Sequence, residues 1–263
     1  MSPVEDPERD VNRRYFVDYV VRQHAERGAL RVLDFGCGSG ELLRLLRNRG
    51  VECLGADVFY AGSDEEGLPE VQELIAEGAI KRIPPSGTLP FDDAFFDLIV
   101  SDQVFEHVED LDATLAELDR ILRADGLMYH HFPTKEVIRE GHIGIPLAHR
   151  FRPGRARFGY VLALRTFGLG KFKDEQSDRI AWTRAKLAWV DQWCTYRTGA
   201  VVDRLLAKRF TVTHREIDYC RFRADGRPLI MTILRLERCR GLSERIFRRL
   251  AFDCRELRKL PRP

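Results

Sequence analysis

The chain has no apolar run approaching the roughly 18 residues that a membrane-spanning helix requires. Its acidic, polar opening, Met1-Ser-Pro-Val-Glu-Asp6, lacks the apolar core of a secretory signal, so a cytoplasmic setting is expected. The six cysteines (positions 37, 53, 194, 220, 239 and 254) contain no C-x-x-C pair and no His/Cys cluster at ligand spacing. No metal site is therefore expected, and the thiols are expected to stay reduced. There is no internal repeat and no low-complexity tract. The phosphate-loop pattern G-x-x-x-x-G-K-[ST] is missing. The dinucleotide fingerprint G-x-G-x-x-G fails too, because its third glycine would fall where Glu41 stands.

What is present is 263 residues with 44% hydrophobic and 32% charged content. That suits a globular chain of one domain with a large insertion, or of two small domains. The net charge of +2 conceals an asymmetry. Residues 1–134 carry 13 Lys and Arg against 27 Asp and Glu, whereas residues 135–263 carry 30 against 14. The basic excess is mostly arginine, whose planar guanidinium suits carboxylate and phosphate. An anionic partner and plain solvated surface charge are both open readings of that excess.

The most informative stretch is Val32-Leu-Asp-Phe-Gly-Cys-Gly-Ser-Gly40. An apolar run ends in glycines, and Glu41 to Arg47 resumes with helical spacing, which predicts a buried strand, a tight turn and a helix. Gly36, Gly38 and Gly40 allow a sharp turn and close approach to a ligand, with the unpaired N–H groups of the helix start behind them. A second apolar run, Val51 to Asp57, ends in an acid 23 residues after Asp34, the position from which a carboxylate can accept bonds from ribose hydroxyls.

Further strands are expected near 30–35, 51–57, 79–83, 96–101 and 127–132, with helices between them, and a leading helix over 11–27. That alternation predicts a doubly wound, mostly parallel α/β sheet. Thr211 to Arg223 and Pro228 to Arg238, joined by Ala-Asp-Gly-Arg, read as a hairpin that completes seven strands. The expected organisation is a Rossmann-like core over 1–134 and a mainly helical inserted cap over 135–200. A last helix and hairpin over 201–240 follow, then a basic amphipathic helix over 241–263 with Ile246, Phe247, Leu250, Cys254 and Leu257 on one stripe.

Asp34-x-Gly-x-Gly-x-Gly resembles the first motif of class I S-adenosylmethionine (SAM) methyltransferases. Leu89-Pro-Phe…Phe96-Asp-Leu-Ile-Val-Ser-Asp…Phe105-Glu-His-Val108 resembles the "LPF…FDLVVS…LEHV" block of the subfamily that modifies small molecules and glycans. Leu122-Arg-Ala-Asp-Gly126 is similar to its "LKPGG" turn. The resemblance covers roughly residues 30–134. It implies SAM as cofactor, bound by Asp34, Gly36, Gly38 and Gly40, by Asp57 on the ribose, and by Ser101 or Asp102 near the sulfonium. The subfamily's acid before "LPF" is missing from Pro84-Pro-Ser-Gly-Thr88, so adenine is expected against backbone there, near Ser86 or Gly87.

Transfer to an oxygen needs a nearby base, for which histidine is suited. Of seven histidines, His142 in the insertion and His107 after the fourth strand are the candidates; His24 and His214 read as structural. The resemblance implies an anionic small-molecule or glycan acceptor of surface-polysaccharide type. Nucleic acid is disfavoured because Ser101-Asp-Gln-Val104 replaces the Asn/Asp-Pro-Pro-Tyr/Phe motif of base methylation; SAM binding without turnover is a further alternative. The basic C-terminal helix could dock on the chain's own core, on a second subunit or on the inner face of a membrane.

Overall fold

The computed structural model describes residues 11–60, 65–235 and 240–261. Helix α1 (Val11–Arg27) leads into β1 (Arg31–Phe35), and α2 (Glu41–Arg47), β2 (Glu52–Asp57), α3 (Pro69–Ala76) and β3 (Ile80–Arg82) follow. Then come β4 (Phe96–Asp102), α4 (Leu111–Ile121) and β5 (Leu122–Phe132). The strands form one sheet in the order β3-β2-β1-β4-β5-β7-β6, with β7 (Asp253–Lys259) and β6 (Phe210–His214) at the far end. Pairings from β3 through β5 are parallel; β7 runs antiparallel to both β5 and β6.

Central strands buried on both faces are continuous apolar runs. In β1 and β4, Val32, Leu33, Leu98, Ile99 and Val100 are all fully buried. Successive side chains alternate between the two faces. Val32, Leu98 and Val100 join Tyr15, Phe16 and Leu43 on one side, while Leu33 and Ile99 join Leu115, Leu118 and Val202 on the other. Asp110 caps α4 by accepting the Ala113 N–H at 3.0 Å, and the sheet's crossover resumes there.

Between β5 and α7 (Gly199–Leu206) the chain makes an insertion containing α5 (Arg155–Thr166) and α6 (Arg179–Trp193). It has its own small core of Ile143, Ile145, Val161, Trp182, Leu187 and Val190. Trp182 is a fully buried member of that core.

The last fifth of the chain, after β6, departs from expectation. The hairpin does not form: β6 is followed by α8 (Glu216–Arg223), α9 (Pro228–Arg235) and α10 (Arg240–Leu250). Asp225-Gly226 makes a helix–helix turn in which Gly226 has φ +77°, and Pro228 occupies the first position of α9, where its missing N–H costs nothing. Residues 236–238 of the expected second strand, and Cys239, lie outside the described residues. The expected helix over 241–263 is helical only through α10. Cys254 and Leu257 belong instead to β7, a central strand with five charged residues. Their burial rests on pairing: Arg255 with Asp253 and Asp203, and Glu256 with Arg215 and the Tyr19 hydroxyl. No helix among the described residues is long and apolar enough to cross a membrane.

Candidate active site

The turn after β1 is fixed by backbone bonds from the Gly36 and Cys37 N–H groups to the Ala56 carbonyl, at 2.8 and 3.3 Å. Gly36 has φ +75°, and a Cβ there would lie 2.3 Å from Val104 Cγ2, so only glycine fits. Asp57, at the end of β2, clasps this turn: its Oδ2 accepts the Gly38 N–H at 2.9 Å and its Oδ1 accepts the Phe59 N–H at 2.8 Å. Burial raises the Asp57 pKa, and these backbone bonds partly restore the charged form. Asp34 is buried beneath, pushed up to about 7 by burial and by the neighbouring Asp57 and Asp102.

These groups open on a cavity of about 1030 Å³, at the large end of the range for ligand sites. Asp34, Gly36, Gly38, Asp57 and Asp102 line it, Pro84 to Thr88 form one wall, and His107 stands at one edge. The cavity lies outside the carboxyl ends of β1, β2 and β4, where open α/β sheets bind ligands. A Cβ at Gly38 would meet only the flexible Glu65 carboxylate, so backbone is open to a ligand there.

Two expected cofactor contacts need correction. Gly40 is not among the lining residues. It starts α2 with φ +72°, and a Cβ there would strike Leu74 and Ile80, so its smallness serves helix-to-sheet packing. Ser101 is fully buried with its Oγ 2.6 Å from His130 Nδ1, and it is not among the residues lining the cavity.

The two candidate histidines meet, although 35 residues separate them: His107 Nε2 and His142 Nε2 are 3.2 Å apart. The chain after α6 makes this possible by lacing onto the turn that follows β4. Thr195 N–H donates to the Glu106 carbonyl, and the Arg197 guanidinium donates to the carbonyls of Phe105 and Val108. His107 Nδ1 donates to the Trp193 carbonyl at 2.7 Å. His142 Nδ1 lies 2.7 Å from Glu140 Oε1, which also accepts the Tyr196 hydroxyl at 2.6 Å. Burial opposes the Glu140 charge, yet bonds from His142, Tyr196 and the Ile143 N–H hold its pKa down at about 2. Burial lowers the pKa of His107. Cys194 Sγ is 3.7 Å from His142 Nδ1, and the Tyr60 ring stacks against His107 and packs on Trp193.

Sequence reasoning named the two histidines and missed Glu140, Tyr60 and Cys194. The one local signal was Glu140-Gly-His142, a carboxylate two residues before an imidazole. His149, also in the insertion, is turned inward and bonds the Lys135 carbonyl.

A methyltransferase-domain family model matches residues 9–208, about three quarters of the chain. The chain belongs to this methyltransferase family. A ubiquinone biosynthesis O-methyltransferase of Mesorhizobium japonicum is 32% identical over 103 residues, 38% of this chain and 39% of that protein. A ubiquinone/menaquinone biosynthesis C-methyltransferase of Xylella fastidiosa is 32% identical over 125 residues, 43% of this chain and 45% of that one. The chain thus matches these curated relatives over less than half of their length. A crystal structure of an S-adenosylmethionine-dependent methyltransferase from Mesorhizobium loti shares the fold, with TM-score 0.50 and 17% identity over 92% of this chain and 97% of that one.

Proposed function

We propose that this methyltransferase transfers a methyl group from SAM to a hydroxyl of a small, uncharged, ring-bearing acceptor. The observation that carries the reading is the junction of two sites: a glycine-floored acidic cavity with Asp57 in its lining, and a histidine pair whose His107 also lines it. Bound SAM supplies an electrophilic sulfonium methyl. The chain's own residues then do the rest. The Gly36–Gly38 turn leaves room for close backbone approach, and Asp57, oriented by two N–H groups, has lone pairs left for ribose hydroxyls. His107 reaches the cavity with His142 behind it, and the acceptor's proton is taken up at this pair while Glu140 balances the charge. Alignment of acceptor and methyl supplies much of the remaining rate.

The acceptor class follows from the lining. Eight carboxylate residues and two arginines border the cavity, and one of those arginines, Arg13, pairs with Glu41. A negative cavity attracts a sulfonium and repels an anionic glycan. Tyr60, Trp193 and Trp189 around the histidines offer ring faces to a planar acceptor. The two curated relatives named for ubiquinone biosynthesis support a ring acceptor, while another is named a malonyl-[acyl-carrier protein] O-methyltransferase. The test is transfer of labelled methyl from SAM to three acceptors: a neutral catechol-type ring, an acidic glycan and tRNA. Transfer to the ring is expected. Preference for the glycan or tRNA refutes the acceptor class, and SAM binding with no transfer refutes turnover.

A membrane role has one specific support. Leu242, Ile246 and Leu250 form an exposed stripe along α10, with Arg245 and Arg249 beside it, and we carry peripheral contact with an anionic bilayer as a secondary proposal.

A further inference from the structure

Among the described residues, His107, His142 and Cys194 form the one group of three ligand-type side chains whose donor atoms all lie within 4.8 Å of one another. Their hydrogen-bond partners decide what they can hold. The Trp193 carbonyl and the Glu140 carboxylate are both acceptors, so each Nδ1 carries a hydrogen and each Nε2 presents a lone pair. Those two lone pairs stand 3.2 Å apart at a half-buried site, an arrangement that either a shared proton or a metal cation between them satisfies. With metal–nitrogen bonds of about 2.0–2.1 Å, that separation subtends roughly 100° at the ion, close to tetrahedral. A carboxylate or a backbone carbonyl behind a ligating histidine is the usual outer support of such sites, and Glu140 and Trp193 provide one each.

We infer that His107 Nε2, His142 Nε2 and Cys194 Sγ, the sulfur turning from its place 4.0 and 3.7 Å from the His107 and His142 Nδ1 atoms, form a site for a borderline divalent cation of the zinc class at the edge of the cofactor cavity. Two imidazoles and a sulfur disfavour magnesium and calcium, which take oxygen ligands. Three protein ligands leave one position open, and His107 is the ligand that also lines the cavity. The role, though not the existence, of the site rests on the proposed hydroxyl acceptor. With the ion bound, both Nε2 lone pairs are occupied and the pair no longer takes up the proton: a hydroxyl coordinated in the open position becomes far more acidic, as metal-bound water does, and its proton passes to solvent water at the exposed side of His142. The expectation from sequence that no metal site exists looked for ligands within one segment. The fold brings these three from the β4 turn, the start of the insertion and its end.

The test is a titration of the full-length, metal-stripped protein with Co²⁺, followed by absorption, with Zn²⁺ added as competitor. Saturation at one ion per chain, a thiolate-to-cobalt band and displacement by Zn²⁺ are expected. Cys194→Ser should abolish that band, His142→Ala should weaken binding more than tenfold, and Glu140→Gln should weaken it about 10–100-fold. Circular dichroism and SAM calorimetry on each variant check that it remains folded. The absence of saturable binding overturns the inference and leaves the pair sharing a proton; so does a thiolate band that persists in Cys194→Ser. The two readings fail separately. Histidine-dependent methyl transfer by metal-free protein removes the metal and keeps the proposed activity, whereas stoichiometric Co²⁺ binding without transfer does the reverse.

Discussion

Replacing Asp57 with alanine removes two things at once, and the structure allows them to be separated. The first is a brace: the carboxylate ties the Gly38 N–H to the Phe59 N–H at 2.9 and 2.8 Å, joining the turns after β1 and β2. A hydrogen bond to a charged group is worth about 1.5–3 kcal/mol. Burial of Asp57 offsets part of that, as the direction of its pKa shift indicates, so a net loss of about 2 kcal/mol is expected. For a chain of this size that lowers Tm by roughly 4–8 °C. The second loss is the pair of ribose contacts, which at the same worth, less their replacement by water, weakens SAM binding at least tenfold. Scanning calorimetry of the SAM-free protein reads the brace, and titration calorimetry reads the ribose contacts. Asp57→Asn, with one oxygen and one amide nitrogen, can satisfy only one of the two N–H groups and should fall between. A folded Asp57→Ala protein with lowered Tm and unchanged SAM affinity would refute the ribose assignment and leave Asp57 as a brace alone.

Gly36→Ala should fold poorly and lose SAM binding, because its Cβ meets Val104, whereas Gly38→Ala should cost about 1–2 kcal/mol of backbone strain by thermal melts. Asp34 has its folded pKa raised to about 7, so the stabilisation is complete below the unfolded value near 4 and is lost as pH rises toward 7. Asp34→Asn should remove this slope, being more stable than the parent at pH 8 by up to about 4 kcal/mol and no better at pH 4 in urea unfolding. His142→Ala should lower kcat about 10²–10⁴-fold with SAM affinity intact, and equal turnover in the variant removes the histidine pair from the chemistry. Sedimentation with anionic liposomes should carry the protein down at low salt but not at high salt, and Leu242→Glu with Ile246→Glu should abolish this; protein that stays in the supernatant at low salt ends the membrane reading.

The cofactor half was legible because its signals are local. A strand buried on both faces must be apolar throughout, so β1 and β4 announced themselves, and the glycines between β1 and α2 answer a steric demand at Gly36 that no other residue meets. Gly40 and Ser101 were misassigned since a motif gives position along the chain but not the direction a group faces. The first fills helix-to-sheet contact and the second pairs with His130. The C-terminal strand was illegible for a deeper reason. β7 places Asp253, Arg255 and Glu256 in the interior, and their partners Asp203, Arg215 and Tyr19 come from three distant segments. Charges paired over such separations look in sequence like a solvated helix face. The histidine pair was half legible: each residue was a candidate alone, and nothing in the sequence linked position 107 to position 142.

The charge asymmetry of the sequence has a structural answer that bears on the acceptor. Among the described residues, the basic second half supplies none of the cavity's lining. Arg157 is buried against Asp191, Arg197 serves backbone carbonyls around the His107 turn, Arg165 lies over Trp182, and Arg255 sits between two aspartates. These guanidiniums hold the insertion and the far end of the sheet in place, which is what five fixed donors on one planar group do well. The acidic half, by contrast, turns its carboxylates into the cavity, where burial above all, and then the nearby Asp57 and Asp102, raise the Asp34 pKa. Crowded acids destabilise the empty site and are relieved when a cation enters. The same field that favours a sulfonium donor therefore works against an anionic acceptor at the reacting end. An acceptor carrying negative charge would have to keep it outside the rim, and a neutral hydroxyl meeting the histidines is the arrangement that opposes no charge in the site.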